Sequence, residues 1–204
     1  MIESRKEILL FFWLFYIIYC KWILEYFNKN PAIQLISLCR KTKMEDNRTP
    51  IIVGSDHAAY NLKEYLKALI IQKGIEIRDV GAHSTEAADY PDFGIQVAGA
   101  VSSGEYSRGI LLCGTGLGMS MVANKFPHVR AALCNDLFSA IMSRRHNNAN
   151  ILVMGGRVIG DVLAREIVTV WLETPFEGGR HQRRLDKFEN MGCPAHASHD
   201  DCCQ

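Results

Sequence analysis

The sequence lacks an excess of charge of either sign. Its 204 residues carry 23 Lys and Arg against 22 Asp and Glu, which leaves a formal net charge of +1. Binding to nucleic acid or to an acidic membrane surface requires a basic excess on some face of the protein. The charge balance therefore argues against a nucleic-acid-binding protein.

The sequence also lacks a cysteine framework. Its seven cysteines are odd in number and scattered, and no two of them form a CxxC pair. Neither a disulfide-stabilised secreted domain nor a zinc ribbon fits this pattern. A reducing compartment, the cytoplasm, is the simpler interpretation.

No apolar run reaches the length of a usual membrane-spanning helix, about 20 residues. The longest run is ILLFFWLFYIIYC, over residues 8–20. Three interpretations stay open: an anchor or interfacial helix that contacts a membrane, a targeting segment, or an upstream extension of a gene whose translation starts at Met44. The polar segment EDNRTP at residues 45–50 favours the start at Met44, because every pattern typical of a folded domain follows it.

From residue 51 onward, short apolar runs alternate with amphipathic segments. The pattern predicts five strands, at residues 51–54, 76–80, 109–113, 129–134 and 151–154. It predicts helices at residues 61–73, 136–145, 161–172 and 179–191, a further helix from Pro91 to about Ser103, and another that ends near Lys125. We therefore expect a three-layer, Rossmann-like α/β domain, in which an open parallel sheet of five strands has helices on both faces.

The domain is expected to cover residues 49–191, after an apolar extension at residues 1–48. A tail at residues 192–204 (GCPAHASHDDCCQ) contains Cys and His residues. Its spacing fits no standard zinc pattern, and short polar termini are usually disordered. We expect a disordered tail and no metal site.

Polar residues follow several of the predicted strands. Asp56 and His57 follow the first strand, Cys113 ends the third, and residues 135–136 (Asn, Asp) follow the fourth. The segment HNN at residues 146–148 precedes the fifth. Ligands of open parallel sheets bind beyond the carboxyl ends of the strands. The sequence therefore predicts a site at this edge.

The segment GTGLG at residues 114–118 has glycines at alternate positions. Backbone amides at such a turn can approach an anion closely, and a thiolate at Cys113 would be favoured by the same helix start. The segment is not a dinucleotide fingerprint, because the third glycine of that motif would fall at Met119. A tight strand-to-helix turn without a ligand is the alternative interpretation.

Arginines form a second candidate binding feature. Arg180 and Arg184 are one helical turn apart, so their guanidinium groups can share a face. Paired guanidinium groups suit phosphate, and Arg157 is a third candidate. A solvated basic face is the alternative interpretation.

Five segments carry a resemblance to a known family. They are GSDHAAYNLK, DYPDFG, CGTGLGMSMVANK, SRRHNNANILVMGGRVIG and EGGRHQRRLD, in this order and spacing. From Ile51 to about Met191 the chain resembles the type B ribose-5-phosphate isomerases, a sugar-phosphate isomerase family that also includes galactose-6-phosphate isomerase. The resemblance implies a cofactor-free and metal-free interconversion of ribose 5-phosphate and ribulose 5-phosphate through an enediolate, in the non-oxidative branch of the pentose phosphate pathway.

The resemblance also implies roles for individual residues. Cys113 takes the proton from C2 and returns it at C1, and Thr115 helps to hold the oxyanion. Asp56 and His146 move protons as the furanose ring opens, in either order. Some family members use a glutamate base instead, at a position where this chain has Ser120.

The remaining implied residues bind substrate. Backbone amides would hold the oxyanion, at Gly114, Gly116 and Gly118. Cationic side chains would bind the phosphate, at His57, Arg157, Arg180 and Arg184. Polar side chains would line the sugar, at Tyr90, Ser120 and Asn147.

The expected partners are a small sugar phosphate and further copies of this chain. Family members are dimers or tetramers, so His146, Asn147 and the arginines are expected to serve the Cys113 of a neighbouring subunit. Galactose-6-phosphate isomerase divides its motifs between two subunits, whereas this chain carries all of them. A six-carbon sugar such as allose 6-phosphate stays an alternative substrate, and a membrane-held, non-catalytic phosphosugar-binding protein stays an alternative function.

Overall fold

The computed structural model describes residues 49–189. The apolar segment at residues 8–20, the candidate start at Met44 and the Cys/His-containing tail lie outside the described residues, and the interpretations given for them stay predictions. Between residues 49 and 189, none of the helices combines the length and the apolar character that a membrane crossing demands.

Strands and helices alternate along residues 49–189. The strands are β1 (Ile51–Ser55), β2 (Ile77–Asp79), β3 (Gly109–Cys113), β4 (Ala131–Leu133) and β5 (Ile151–Gly155). The helices are α1 (Tyr60–Gln72), α2 (Tyr90–Ser102), α3 (Leu117–Ala123), α4 (Leu137–Arg145), α5 (Asp161–Glu173) and α6 (Arg180–Leu185). A 3₁₀ turn at His57–Ala59 follows β1.

The strands form one parallel sheet in the order β2-β1-β3-β5-β4. In its register Ser55 pairs with Leu112, and Cys113 pairs with Gly155. The central strands β1, β3 and β5 are buried along their whole length, as expected for strands with helices on both faces. The order reverses between β1 and β3, and parallel sheets bind ligands beyond such a switch point.

Two apolar clusters pack on opposite faces of the sheet. Ile51 and Leu112 belong to the cluster that includes Trp171 of α5. Ile52 and Leu111 belong to the other cluster, which includes helices α2 and α3. Successive strand residues point to opposite faces, so each strand contributes to both clusters. The predicted three-layer, five-stranded α/β fold is confirmed.

The largest differences from the predicted boundaries lie in three elements. Strand β4 covers only Ala131–Leu133, and α3 begins at Leu117, inside the glycine segment. Helix α6 ends at Leu185, well short of the predicted residue 191. Only His181 and Leu185 of α6 are buried, so no further apolar face stabilises additional turns of this short helix.

A buried ammonium group ties α1 to the edge of the sheet. Lys63 is fully buried, and its Nζ donates hydrogen bonds to Asp79 Oδ2 at 2.8 Å and to the Ala82 carbonyl at 2.8 Å. Lys67 Nζ binds the same carboxylate at 2.5 Å. Burial opposes the charge on Asp79, but these hydrogen bonds outweigh it and lower the pKa of the carboxyl group. The network fixes the chain that leaves β2 for the Tyr90 region.

Candidate active site

Three loops meet at the carboxyl ends of β1, β3 and β5. The Gly156 amide donates to the Cys113 carbonyl at 2.8 Å, and the Arg157 amide donates to the Gly114 carbonyl at 3.0 Å. A Cβ on Gly156 would lie 2.8 Å from Cβ of Ala59, so the loop after β5 also touches the turn after β1. This is the sheet edge that the sequence predicted as the site.

Asp56 organises the turn after β1. Its carboxylate oxygen Oδ1 accepts hydrogen bonds from the amides of Ala58 at 3.0 Å and Ala59 at 3.2 Å. The side chain is buried, and these bonds cap the 3₁₀ turn. Because Oδ1 is engaged by the backbone, Oδ2 is the oxygen left to exchange a proton with a ligand.

Cys113 ends β3 with its sulfur facing a backbone amide. The residue is only 4% exposed, and the Gly116 amide donates to Sγ at 3.1 Å. Gly116 has φ +80°, and an added Cβ would lie 2.4 Å from Cδ1 of Leu133. A left-handed residue in so little space must be glycine. The glycine segment therefore aims an amide donor at the thiol.

The second described cysteine lies in a different setting. Cys134 follows β4, and burial raises the pKa of its thiol to about 11. Its Sγ donates to the Ala132 carbonyl at 3.6 Å. Cys134 therefore stays a neutral thiol near pH 7 and is unsuited to act as a base.

Polar and aromatic side chains line the glycine segment. Thr115 is exposed, and its hydroxyl accepts a hydrogen bond from the Leu117 amide at 3.3 Å. Ser120 donates its hydroxyl proton to the Leu117 carbonyl at 2.8 Å, so only its oxygen lone pairs can meet a ligand. A Cβ on Gly118 would lie 2.6 Å from the Tyr90 ring, which therefore packs directly on this glycine.

Two cationic candidates flank the same loop. Nδ1 of His57 lies 3.1 Å from both the amide and the carbonyl of Ala88. That contact leaves Nε2 of His57 for a ligand. The Arg157 side chain is exposed, and its Cδ lies 3.7 Å from the position of a Cβ on Gly114. Arg157 therefore stands beside the Cys113 loop of its own chain, which differs from the expectation that all three arginines serve a neighbouring subunit.

A second cluster forms where α4 ends and α6 begins. His146 caps the end of α4, and its ring stacks on His181 with centroids 4.1 Å apart and an interplanar angle of 7°. Glu177 Oε2 lies 3.8 Å from Nε2 of His146 and 3.6 Å from Nε2 of His181. The same carboxylate forms an ion pair with Arg145. Asn147 is exposed beside His146.

Helix α6 brings two predicted arginines to this second cluster. Arg180 Nε donates to Nε2 of His181 at 3.3 Å, so that nitrogen acts as an acceptor. Burial lowers the pKa of His181, and the charges of His146 and Arg180 lower it further. His181 is therefore a neutral imidazole near pH 7. Arg184 lies one turn further along and is exposed.

Metal coordination is the other chemistry that this cluster could support. The donor atoms of His146, Glu177 and His181 all lie within 4.8 Å of one another. Arg145 already binds Glu177, and Arg180 donates to His181. Two guanidinium groups bound to Glu177 and His181 oppose a divalent cation, so the set favours ion pairing over metal binding.

The predicted site residues thus fall into two groups in one chain. The loop at Cys113 gathers Asp56, His57, Tyr90, Thr115, Ser120, Arg157 and the three glycines. The second cluster gathers His146, Asn147, Arg180 and Arg184. Among residues 49–189, no hydrogen bond or ion pair joins His146, Glu177 or the α6 arginines to the Cys113 loop.

The prediction from the sequence missed Glu177, His181 and Arg145. Glu177 and His181 both lie within the segment EGGRHQRRLD, and their spacing of four residues is a weak sign of a shared helical face. Their contact with His146 depends on the return of the chain after α5 to the end of α4. Because these residues belong to segments that are distant in the sequence, no local sequence pattern predicts their contact.

Comparison with known proteins decides the family. The family model described as Ribose/Galactose Isomerase matches residues 51–188. The chain belongs to the ribose/galactose isomerase family. The match covers both groups of site residues, and the resemblance drawn from the five motifs is confirmed. As a member of this family, the protein is an isomerase.

Individual members of the family are similar over most of their length. The chain is 47% identical over 136 residues to ribose-5-phosphate isomerase B of Escherichia coli, covering 67% of this chain and 91% of that protein. It is 44% identical over 139 residues to D-erythrulose-4-phosphate isomerase of Pectobacterium atrosepticum, covering 68% and 91%. The solved ribose-5-phosphate isomerase B of Clostridium thermocellum has 51% identity and a TM-score of 0.68, with 70% of this chain and 96% of that chain covered.

Proposed function

We propose that this protein interconverts D-ribose 5-phosphate and D-ribulose 5-phosphate through an enediolate. One observation carries the proposal: the Cys113 thiol faces the Gly116 amide at 3.1 Å, at a sheet edge shared with His57 and Arg157. Proton transfer next to a carbonyl needs a positioned base and a donor for the developing oxyanion. Cation-bearing side chains beside both suit a phosphorylated substrate.

In the proposed mechanism, Cys113 removes the proton from C2 of the open aldose and returns it to C1. The amides of Gly114, Gly116 and Gly118, together with the Thr115 hydroxyl, stabilise the oxyanion of the enediolate. The three amides are held in place by the backbone, and the Gly116 amide, which donates to Cys113 Sγ at 3.1 Å in the free protein, shares its hydrogen with the oxyanion as the thiol takes up the proton. No step calls for a metal or an organic cofactor.

The substrate enters as a furanose, so its ring has to open first. Asp56 offers Oδ2 at the Cys113 loop, and His146 offers an imidazole from the second cluster. We propose that these two groups exchange protons with the C1 hydroxyl and the ring oxygen. His57 and Arg157 on one side, with Arg180 and Arg184 on the other, bind the phosphate. Tyr90, Asn147 and Ser120 line the sugar.

We propose that the functional unit is a homo-oligomer, at least a dimer, whose sites combine the two groups of residues. Two features support this. Among residues 49–189, no hydrogen bond or ion pair links the His146 cluster to the Cys113 loop, and large apolar side chains are exposed on α3 and α4, among them Met121 at 66% and Phe138 at 71%. Exposed apolar patches of this kind mark interaction surfaces.

A mixing experiment tests the shared site. Cys113→Ala and His146→Ala variants are each expected to be inactive alone. If sites are shared, refolding or co-expressing the two together regenerates one intact site per mixed dimer, and activity returns. Two variants that stay inactive after subunit exchange would contradict the shared site.

We propose a cytoplasmic location on chemical grounds. The described cysteines, Cys113 and Cys134, are both free thiols, which suits a reducing compartment. A thiol base would also be lost by oxidation to a disulfide. We also propose that the isomerase domain covers residues 49–191 and that residues 1–48 and 192–204 do not belong to it.

The experiment that tests the function compares substrates in the presence of a chelator. The full chain is assayed with ribose 5-phosphate, allose 6-phosphate and D-erythrulose 4-phosphate. The expected result is the highest kcat/KM for ribose 5-phosphate. Preference for the four-carbon ketose would move the protein toward the Pectobacterium relative, and binding without turnover of any of the three would revive the non-catalytic alternative.

A further inference from the structure

Glu177 stands at the centre of the second cluster although neither the sequence nor the proposed mechanism assigns it a role. Its Oε2 lies 3.8 Å from Nε2 of His146 and 3.6 Å from Nε2 of His181. Both distances are in the range of ion pairs and longer than a formed hydrogen bond. Catalytic hydrogen bonds are often long before substrate binds and tighten afterwards.

Arg145 keeps the carboxyl group of Glu177 ionised. Arg145 donates to its carboxylate, and this hydrogen bond lowers the pKa of Glu177, assisted by the charge of Arg145. Arg145 is the residue immediately before His146 at the end of α4. The carboxylate is therefore ionised at working pH and tied to the same helix end that presents the imidazole.

The orientation of the His146 ring is fixed by contacts on two sides. Its face stacks on His181, at 4.1 Å between centroids and 7° between planes. His181 is buried and itself accepts from Arg180 at 3.3 Å, so the stacking surface is held in place. The edge that carries Nε2 faces Glu177. The ring nitrogen directed away from the carboxylate is Nδ1.

We propose that Glu177 is the positioning residue of His146: its carboxylate holds a proton on Nε2 and leaves Nδ1 to exchange a proton with the sugar during ring opening. The proposal rests on the function proposed above. In many enzymes a carboxylate fixes the tautomer and orientation of a catalytic imidazole. When that carboxylate is replaced by an amide, the ring keeps its position but takes the wrong tautomer.

The ring-opening step balances without any further reactant. The C1 hydroxyl loses its proton to one of the two groups, Asp56 or Nδ1 of His146, and its electron pair forms the carbonyl. The bond between C1 and the ring oxygen breaks, and that oxygen receives a proton from the other group. Glu177 neither gains nor loses a proton in either direction.

The test separates ring opening from the chemistry at Cys113. Ribulose 5-phosphate carries its phosphate on C5, so it cannot close a five-membered ring and enters as an open chain. Exchange of its C1 proton with deuterium from solvent therefore requires the enediolate step but not ring opening. The kcat/KM of Glu177→Gln for ribose 5-phosphate should fall at least about tenfold. General acid–base catalysis contributes about 10²–10⁴-fold to a rate, and the variant should lose part of that contribution. Its exchange rate should stay near that of the wild type.

Two further variants complete the design. Glu166→Gln is the matched control, because the Glu166 side chain on α5 is 47% exposed and, within residues 49–189, pairs only with its neighbour Arg165. It should change neither rate. Glu177→Asp keeps the charge and should recover part of the isomerisation.

The outcomes are distinct. Equal isomerisation by Glu177→Gln and Glu166→Gln would overturn the role of Glu177, and so would a parallel loss of exchange and isomerisation, which indicates a structural role. A wild-type protein that shows neither activity would instead overturn the proposed function itself.

Discussion

Replacement of Asp79 by asparagine would remove the charge that faces the Lys63 ammonium while keeping the shape of the side chain. The Lys63 side chain is 0% exposed and that of Asp79 is 14% exposed, with Nζ and Oδ2 at 2.8 Å. Removing one partner of a buried pair costs about 3–5 kcal/mol, since the other charge is left uncompensated. Glu64 Oε1, 3.1 Å from the same Nζ, retains part of the compensation. We therefore expect about 3 kcal/mol.

Urea denaturation followed by circular dichroism measures this loss, at one protein concentration because an oligomer's stability depends on it. A loss of about 3 kcal/mol corresponds to a fall of about 6–12 °C in Tm for a chain of this size. The matched control is Glu173→Gln, which removes the ion pair between Lys73 and Glu173, with side chains 29% and 57% exposed. Such surface pairs contribute less than about 1 kcal/mol.

The effect should also depend on pH. Hydrogen bonds from Lys63 and Lys67 lower the pKa of Asp79 against the opposing effect of burial. The carboxyl group of an aspartate in an unfolded chain has a pKa of about 3.9. The stabilisation by Asp79 is therefore complete above about pH 4 and disappears as the pH falls through the lower, folded pKa. Two results would show that the buried pair does not hold the sheet edge. One is that Asp79→Asn lowers the free energy of unfolding no more than Glu173→Gln does. The other is that the loss caused by Asp79→Asn grows as the pH falls.

Three further changes probe the site. Gly118→Ala would place a Cβ 2.6 Å from the Tyr90 ring, so steady-state kinetics should give a higher KM while the secondary structure stays unchanged. An unchanged KM would argue against a Tyr90 ring that lines the sugar. Arg184→Ala should raise KM for ribose 5-phosphate about tenfold, as expected for one charge-assisted hydrogen bond, whereas the neighbouring Arg183→Ala should not; equal effects would remove the phosphate role. Cys134→Ala should keep full turnover, because a thiol with a pKa of about 11 is neutral at pH 7, and a loss of activity would contradict the choice of Cys113.

Local patterns were sufficient to predict the centre of the fold. Strands β1, β3 and β5 are continuous apolar runs, and burial on both faces explains why they stand out in the sequence. The edge strand β4 covers only Ala131–Leu133, and the apolar residues that flank it made the prediction too long. Edge strands are set by partners on one side only, so their ends depend on the tertiary structure.

The site could be predicted only where its residues are local in the chain. The glycine segment and Cys113 form one strand-to-helix turn, and their geometry follows from residues close in sequence. Lys63 and Glu177 received no role, because each gains its meaning from elements distant along the chain. Lys63 meets Asp79 across the edge of the sheet, and Glu177 meets His146 only after α5 has returned the chain to the end of α4.

The decisive measurement is isomerisation of ribose 5-phosphate by the full chain and by Cys113→Ala, with a chelator present and Cys134→Ala as the cysteine control. Wild type and Cys134→Ala should form ribulose 5-phosphate at equal rates. Cys113→Ala should lose at least about 10²-fold in kcat, the contribution of a positioned base, together with deuterium exchange at C1 of ribulose 5-phosphate. Full turnover and exchange by Cys113→Ala would contradict Cys113 as the base and would require another group at this sheet edge.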